Sequence, residues 1–255
     1  MFLNQLKKHR FILNIRNSLN FRPVPIIFPN NNQKSYSISD AFCWRKSDEF
    51  KTDFRYTDLI KYFTNKINTP IKIVLCNHNN KIISELKITP TQLTDKLSIH
   101  KKFPKIKETS GHFFLFHKIA SKDDAPMLLR NSCYTSFSFK ESMPSIVHGN
   151  LPVVAESTDS KRYKNDIIQQ SFFKKYIYKV QHNFASYDKV EAYLFNSGNR
   201  ILKIQINDIY ISLNPYNSKV INLPLSTLYT IHSKCLLLRP VFFVYKDNFF
   251  DVFHG

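Results

Sequence analysis

Residues 128–149 read LLRNSCYTSFSFKESMPSIVHG, and residues 237–255 read LLRPVFFVYKDNFFDVFHG. Removing three residues after Asn131 brings Leu-Leu-Arg, a central Lys (Lys140, Lys246) and a closing His-Gly (His148-Gly149, His254-Gly255) into register. Upstream, Leu75-Cys76-Asn77-x-x-Asn80-Lys81-Ile82-Ile83 matches Leu194-Phe195-Asn196-x-x-Asn199-Arg200-Ile201-Leu202. The offset is 119 there, 109 at the Arg and 106 at the His, a drift that changes in loop length explain. Overlooking an internal repeat misassigns the whole fold. This one predicts a β-rich module present twice; chance likeness between two pairs of apolar strands is the alternative.

Outward from the second copy, the chain breaks into eight short apolar runs: Phe173–Val180, Val190–Phe195, Ile201–Ile206, Ile209–Leu213, Val220–Leu223, Leu228–Ile231, Cys235–Leu238 and Val241–Tyr245. Asn196-Ser-Gly-Asn199 and Asn214-Pro-Tyr-Asn-Ser218 punctuate them. Strands at that spacing with such turns predict an antiparallel sandwich or jelly roll. In the first copy, Ile71–Cys76 and Ile82–Ile88 flank an Asn-rich turn, followed by strand-like Gly111–Ile119 and Leu128–Phe139. One helix is expected near 57–67, capped by Thr57-Asp58, with Leu59, Ile60, Phe63 and Ile67 at helical spacing and Pro70 closing it. The expected organisation is a basic lead (1–35), a first β-sandwich module (36–155), a polar linker (156–171) and a second module (172–255). The two sandwiches are expected to pack together.

Composition narrows the partners. The net charge of +18 invites nucleic acid, but the surplus is 28 Lys against nine Arg with no dense Arg run. Bidentate phosphate recognition favours Arg, and a chain rich in Lys, Asn, Ile, Phe and Tyr is what A/T-rich codons produce. Four dispersed Cys make no C-x-x-C pair, which argues for small buried hydrophobes in a reducing compartment rather than a zinc or redox site. No apolar run approaches the length of a membrane span. Residues 1–39 lack Asp and Glu but hold six Lys or Arg, the profile of an organelle transit peptide, or of a short helix leading into the domain.

Catalytic motifs are sparse. With four glycines in the whole chain, neither a P-loop nor a dinucleotide loop can be built, and there is no nucleophile elbow, H-E-x-x-H or EF-hand. No cofactor and no metal are expected. His112 and His117 lie five apart on one strand, hence on opposite faces. What remains is the repeated pair Arg130/His148 and Arg239/His254, which antiparallel hairpins would carry toward the same end of a sheet. As a site, the four offer Arg forks and titratable imidazoles to a carbohydrate or anionic ligand. As structure, they are turn residues repeated because the fold repeats. Trp44 and Arg45 are candidates to face a sugar, against the tendency of Trp to be buried.

The series I-S-D-x-F-x-W-R (Ile38 to Arg45), F-x-T-x-F (Phe50 to Phe54), S-I-V-H-G-N (Ser145 to Asn150), L-L-R-P (Leu237 to Pro240) and D-V-x-H (Asp251 to His254) is spread along residues 36–255. It resembles a group of uncharacterised bacterial β-sandwich proteins associated with surface-polysaccharide gene neighbourhoods. The resemblance implies a carbohydrate context and a bacterial cytoplasmic protein, weighs against the transit peptide, and assigns no catalytic residue. The leading expectation is a non-catalytic or accessory protein of glycan or cell-envelope metabolism. Its rivals are an enzyme using His148 or His254 as acid–base with Arg130 or Arg239 holding an anion, and a basic nucleic-acid- or ribosome-associated protein.

Overall fold

Phe50–Thr57 buries Phe50, Thr52, Phe54 and Tyr56 and turns the residues between them outward, the period of two that makes a strand with one dry face. Other runs depart from that alternation. Ser110–His117 is buried at every position after the first, and Val241–Tyr245 at all of them. A strand with no wet face must lie between two cores, and that is how the chain is layered.

The computed structural model describes residues 36–65, 70–117, 128–130, 133–149, 152–157, 170–171, 173–198, 200–235 and 238–255, with Ile12 and Ile15. The first part comprises β1 (Tyr36–Asp40), β2 (Phe42–Arg45), β3 (Phe50–Thr57), α1 (Leu59–Thr64), β4 (Ile71–Asn77), β5 (Ile82–Ile88) and β6 (Thr94–Ser98). It continues with α2 (Ile99–Lys102), β7 (Ser110–His117), β8 (Leu128–Arg130), β9 (Cys133–Phe139), β10 (Ser145–His148) and β11 (Pro152–Ser157). The second comprises β12 (Tyr176–Gln181), β13 (Lys189–Phe195), β14 (Leu202–Ile206), β15 (Ile209–Leu213), β16 (Ser218–Leu223), β17 (Leu228–Ser233), β18 (Val241–Lys246) and β19 (Phe249–His254).

Strand order bears out the duplication. The first copy has sheets β2-β7-β4-β5 and β10-β9-β3-β6; the second has β12-β17-β14-β15 and β19-β18-β13-β16. Eight strands correspond one to one in chain order, with β8 the only additional strand between them among the described residues. All pairings within these four sheets are antiparallel. Moving the last strand of each copy to the front turns its order into the two Greek keys of a jelly roll. A further sheet, β11-β1-β8, is mixed, since β1 runs antiparallel to β11 and parallel to β8.

Pairing also corrects the finer alignment. Hairpin β9–β10 matches β18–β19, as the closing His-Gly repeat predicts. The upstream match around Asn77 and Asn196 is not equivalent in the fold: β4 and β5 form a hairpin, whereas β13 and β14 belong to different sheets. The counterpart of β4–β5 is β14–β15. Of the expected run Cys235–Leu238, Cys235 makes one isolated bridge to Gln170 and residues 236–237 lie outside the described residues; β19 takes the eighth place. Of the expected linker, Glu156 and Ser157 belong to β11, and 158–169 lie outside the described residues, as does nearly all of the basic lead. The expected helix is α1, where Asp58 accepts the Lys61 N–H at 3.0 Å and left-handed Asn65 ends it; Ile67 lies outside the described residues.

Three cores result. Phe42, Trp44, Phe54, Ile71, Ile73, Leu75, Phe113 and Leu115 fill the first sandwich. Val190, Ala192, Leu194, Ile204, Ile206, Tyr229, Ile231 and Phe242 fill the second. The third lies between them, where Cys43, Val74, Cys76, Phe114 and Phe116 of the first copy meet Tyr193, Phe195, Val241, Phe243 and Tyr245 of the second. Sheet β2-β7-β4-β5 therefore packs its outer face on sheet β16-β13-β18-β19. That shared core is why β7 and β18 read as unbroken apolar runs.

Candidate functional site

The hairpin repeat brings two of its four marked residues into contact. Edges β10 and β19 meet where Ser145 Oγ donates to Asp251 Oδ1 at 2.5 Å and accepts the Val252 N–H at 2.9 Å. At their ends the rings of His148 and His254 lie 4.5 Å apart, inclined by 30°, and His254 Nε2–H donates to the His148 carbonyl at 2.6 Å. Burial pushes the His254 imidazole down to about 4, with Arg239 and His148 adding to it against the bonds to the His148 and Pro240 carbonyls. Near neutral pH His254 is thus uncharged and offers an anion no charge. Arg239 is half-buried nearby. Arg130 contributes its backbone to β8, opposite Ile38, and its side chain lies outside the described residues. The geometry of the histidine pair is that of a brace between the copies.

Trp44 is fully buried, so the expectation that it faces a ligand is corrected. Its indole N–H donates to the Cys76 carbonyl at 2.9 Å, crossing above Gly111, where any Cβ would sit 2.1 Å from that same oxygen. Gly111 thus serves a close approach rather than a positive φ.

Arg45, the next residue, turns to the other face of β2. Its Nη1 donates to Glu191 Oε2 at 2.5 Å and to Tyr245 Oη at 3.1 Å, and the guanidinium lies 4.1 Å from the Phe50 ring centroid. Glu191 also accepts from Tyr245 Oη (2.7 Å) and Lys189 Nζ (2.8 Å). Burial alone would raise the Glu191 carboxyl, but Arg45, Lys189 and Tyr245 outweigh it and hold it below the usual range. Arg45 and Glu191 come from different copies, so this ion pair ties them together.

A second tie lies beside it. The β4–β5 turn carries His78, whose carbonyl accepts the Ser218 N–H at 2.9 Å. Its ring bridges Ser218 Oγ (Nδ1, 3.0 Å) and Ser110 Oγ (Nε2, 2.6 Å). Buried His112 reaches Ser218 Oγ at 3.2 Å and Asn80 Oδ1 at 3.0 Å. Burial lowers His78, with Arg45 acting in the same direction. Its sequence signal, a histidine in an Asn-rich turn, carries no chemistry until the turn is seen to touch the other copy.

Between these ties opens a cleft of about 550 Å³, lined by Arg45, His78, Ser110, Glu191, the end of β15 and residues 218–222 of β16. Its β15 wall is fixed by Asn196. That fully buried side chain donates to the carbonyls of Arg200, Leu213 and Asn214 and accepts from the Gly198 N–H and Gln170 Nε2. The lining is mostly amide, hydroxyl and charge, with aliphatic Leu213, Val220 and Ile221 among it and no Phe, Tyr or Trp.

Among the described residues no group of three His, Cys, Asp or Glu is placed to hold a metal, and no helix is long and apolar enough to cross a membrane. No protein family, curated protein or solved structure matches the chain.

Proposed function

We propose that this chain is a non-catalytic binding module whose ligand sits in the cleft between the two sandwiches. The observation that carries the reading is the cleft itself. It is a mostly polar recess at the junction of the two sandwiches, built from both copies and flanked by the Arg45–Glu191 pair and the His78 bridge. Ligand sites form preferentially at domain interfaces, where a few placed polar groups fix the bound molecule. An accessory role in glycan or cell-envelope metabolism is part of the proposal, since amides and hydroxyls bond sugars. The cleft nevertheless lacks the aromatic platform a sugar face would stack on.

A second reading, acyl transfer, has one observation behind it. Ser110, His78 and Ser218 stand in the order of nucleophile, base and orienting group, at 2.6 and 3.0 Å.

One experiment addresses both. Thermal melts against sugars, sugar nucleotides, short oligonucleotides and peptides are run on the native chain, on Asn222→Trp, which plugs the cleft, and on His148→Ala. A ligand that binds only the folded state raises the melting temperature. A rise abolished by the plug and kept in His148→Ala is expected. A rise lost in His148→Ala but kept in the plugged variant would move the site to the histidine pair. Labelling of Ser110 by a fluorophosphonate would favour acyl transfer.

A further inference from the structure

We infer that the ligand of the cleft is an extended, acidic polypeptide segment that adds as a strand to the free edge of β16. The inference rests on the reading of the cleft as the binding site and goes further by naming what fills it.

β16 pairs on one side only, with β13. The direction of its backbone groups follows from two hydrogen bonds. Asn196 N–H donates to the Asn217 carbonyl, so residue 217 faces β13, whereas Ser218 N–H donates away from β13, to His78. Backbone groups alternate along an antiparallel strand. Lys219, Ile221 and Leu223 therefore complete the ladder to β13, and Val220 and Asn222 present their N–H and C=O groups to the cleft. Among the described residues no backbone or side-chain group meets them. The His78 carbonyl already occupies the first outward rung at Ser218. In effect the first copy begins a strand addition and leaves the next two rungs vacant. A sheet edge with vacant rungs is a template for another chain, and pairing with an extended peptide is a recurring recognition mode.

Charge selects the peptide. Glu191 is matched by Arg45 and Lys189. Lys219, exposed on the same edge, has no carboxylate partner among the described residues, and the whole chain carries +18. An incoming strand with Asp or Glu side chains neutralises it. A purely protective edge would also carry a lysine, but it would gain nothing from being recessed between two modules.

The test uses a capped, fluorescein-labelled dodecapeptide alternating Glu with Val and Thr. Its comparators are the same peptide N-methylated at alternate residues, its Lys-for-Glu counterpart, and an oligo-uronate of matching charge. Binding to the full chain is read by anisotropy, and amide exchange at Val220 and Asn222 by NMR. We expect the acidic peptide to bind and to protect both amides. N-methylation and Val220→Pro should each weaken binding by roughly tenfold or more, the effect of losing one or two main-chain bonds, and the basic counterpart should weaken it by setting like charge against Lys219. Val220→Pro removes an N–H that faces away from the ladder, where an edge strand tolerates proline; Lys219→Glu is a second variant that leaves the backbone intact. Binding indifferent to N-methylation, or without amide protection, overturns strand addition. Binding of the oligo-uronate alone overturns the peptide while leaving the cleft as a ligand site. Binding of neither, with no hit in the melt panel, sinks both.

Discussion

Arg45→Met separates a structural brace from a decorative surface pair. It leaves the Glu191 carboxylate, 6% exposed, without its shortest partner, while Lys189 and Tyr245 remain. Removing one member of a buried pair costs about 3–5 kcal/mol, and the two remaining partners place this case at the lower end, about 3 kcal/mol. Glu191→Gln keeps an acceptor for the tyrosine and strands a better-solvated cation, costing about 2 kcal/mol. The double variant should lose no more than the milder single, so the cycle yields a coupling of about 3 kcal/mol. The assay is urea unfolding at pH 7 and again at acid pH. Glu191 has its carboxyl lowered in the folded state, so the pair's contribution is present above the unfolded value of about 4.5 and is lost as pH falls through the folded one. The deficit of Arg45→Met should shrink accordingly. A coupling below about 0.5 kcal/mol, the level of an exposed pair, would refute the view that this contact ties the copies together.

Acid should destabilise the chain well above the range of its carboxylates. Burial pushes His112 down to about 3, with His78 adding to it, and His254 is down to about 4. The unfolded chain therefore binds more protons, and stability falls as pH drops from about 6.5, on the order of 2 kcal/mol for each group by pH 4.5. His112→Gln should flatten the slope, and a native stability curve level from pH 6.5 to 4.5 would contradict this. Gly111→Ala drives a methyl against the Cys76 carbonyl and Trp44 Nε1. A loss of about 3 kcal/mol and a red shift from the sole tryptophan are expected; emission and stability both unchanged would refute the close approach.

Much of this architecture was legible because strands announce themselves locally. The alternation of β3, the turns at Asn196 and Asn214, and the His-Gly ends of two hairpins depend on nearest neighbours and on the pleat. The parts that misled depend on which sheet a strand joins. Asn77 and Asn196 both follow an apolar strand, yet one chain then reverses into a hairpin and the other crosses to the opposite sheet. Nothing within the seven matched residues distinguishes these outcomes. The site was half legible for the same reason. Arg45 stood out beside Trp44, but period two sends neighbours to opposite faces, so the tryptophan entered the core and the arginine met Glu191, 146 residues away. His78, Ser218 and the free side of β16 carry no local mark, because their meaning arises only where the copies touch.

The manner of that contact bears on how many ligands the chain holds. The first copy packs mainly through the outer face of sheet β2-β7-β4-β5, with Phe50, Phe137 and Val147 of its other sheet joining the shared core, whereas the second packs through β16-β13-β18-β19, the counterpart of that other sheet. Apart from β10 and β19, which meet as equivalents, the shared core joins unlike sheets, so β6 and β16 have unequal neighbours. β6, the counterpart of β16, is also an edge. Its surroundings are charged: Lys96 pairs with Asp53 at 2.7 Å, and Tyr56 Oη donates to Asp95. The turn between β14 and β15, the counterpart of the one carrying His78, belongs to the sheet farthest from the first copy and bonds within its own module, Asn207 N–H to the Thr230 carbonyl. A turn so placed begins no strand addition on β6. Titration with the acidic peptide should therefore saturate at one per chain. Two equal sites would mean that the edge alone suffices and that the seam, with its His78 rung, adds nothing.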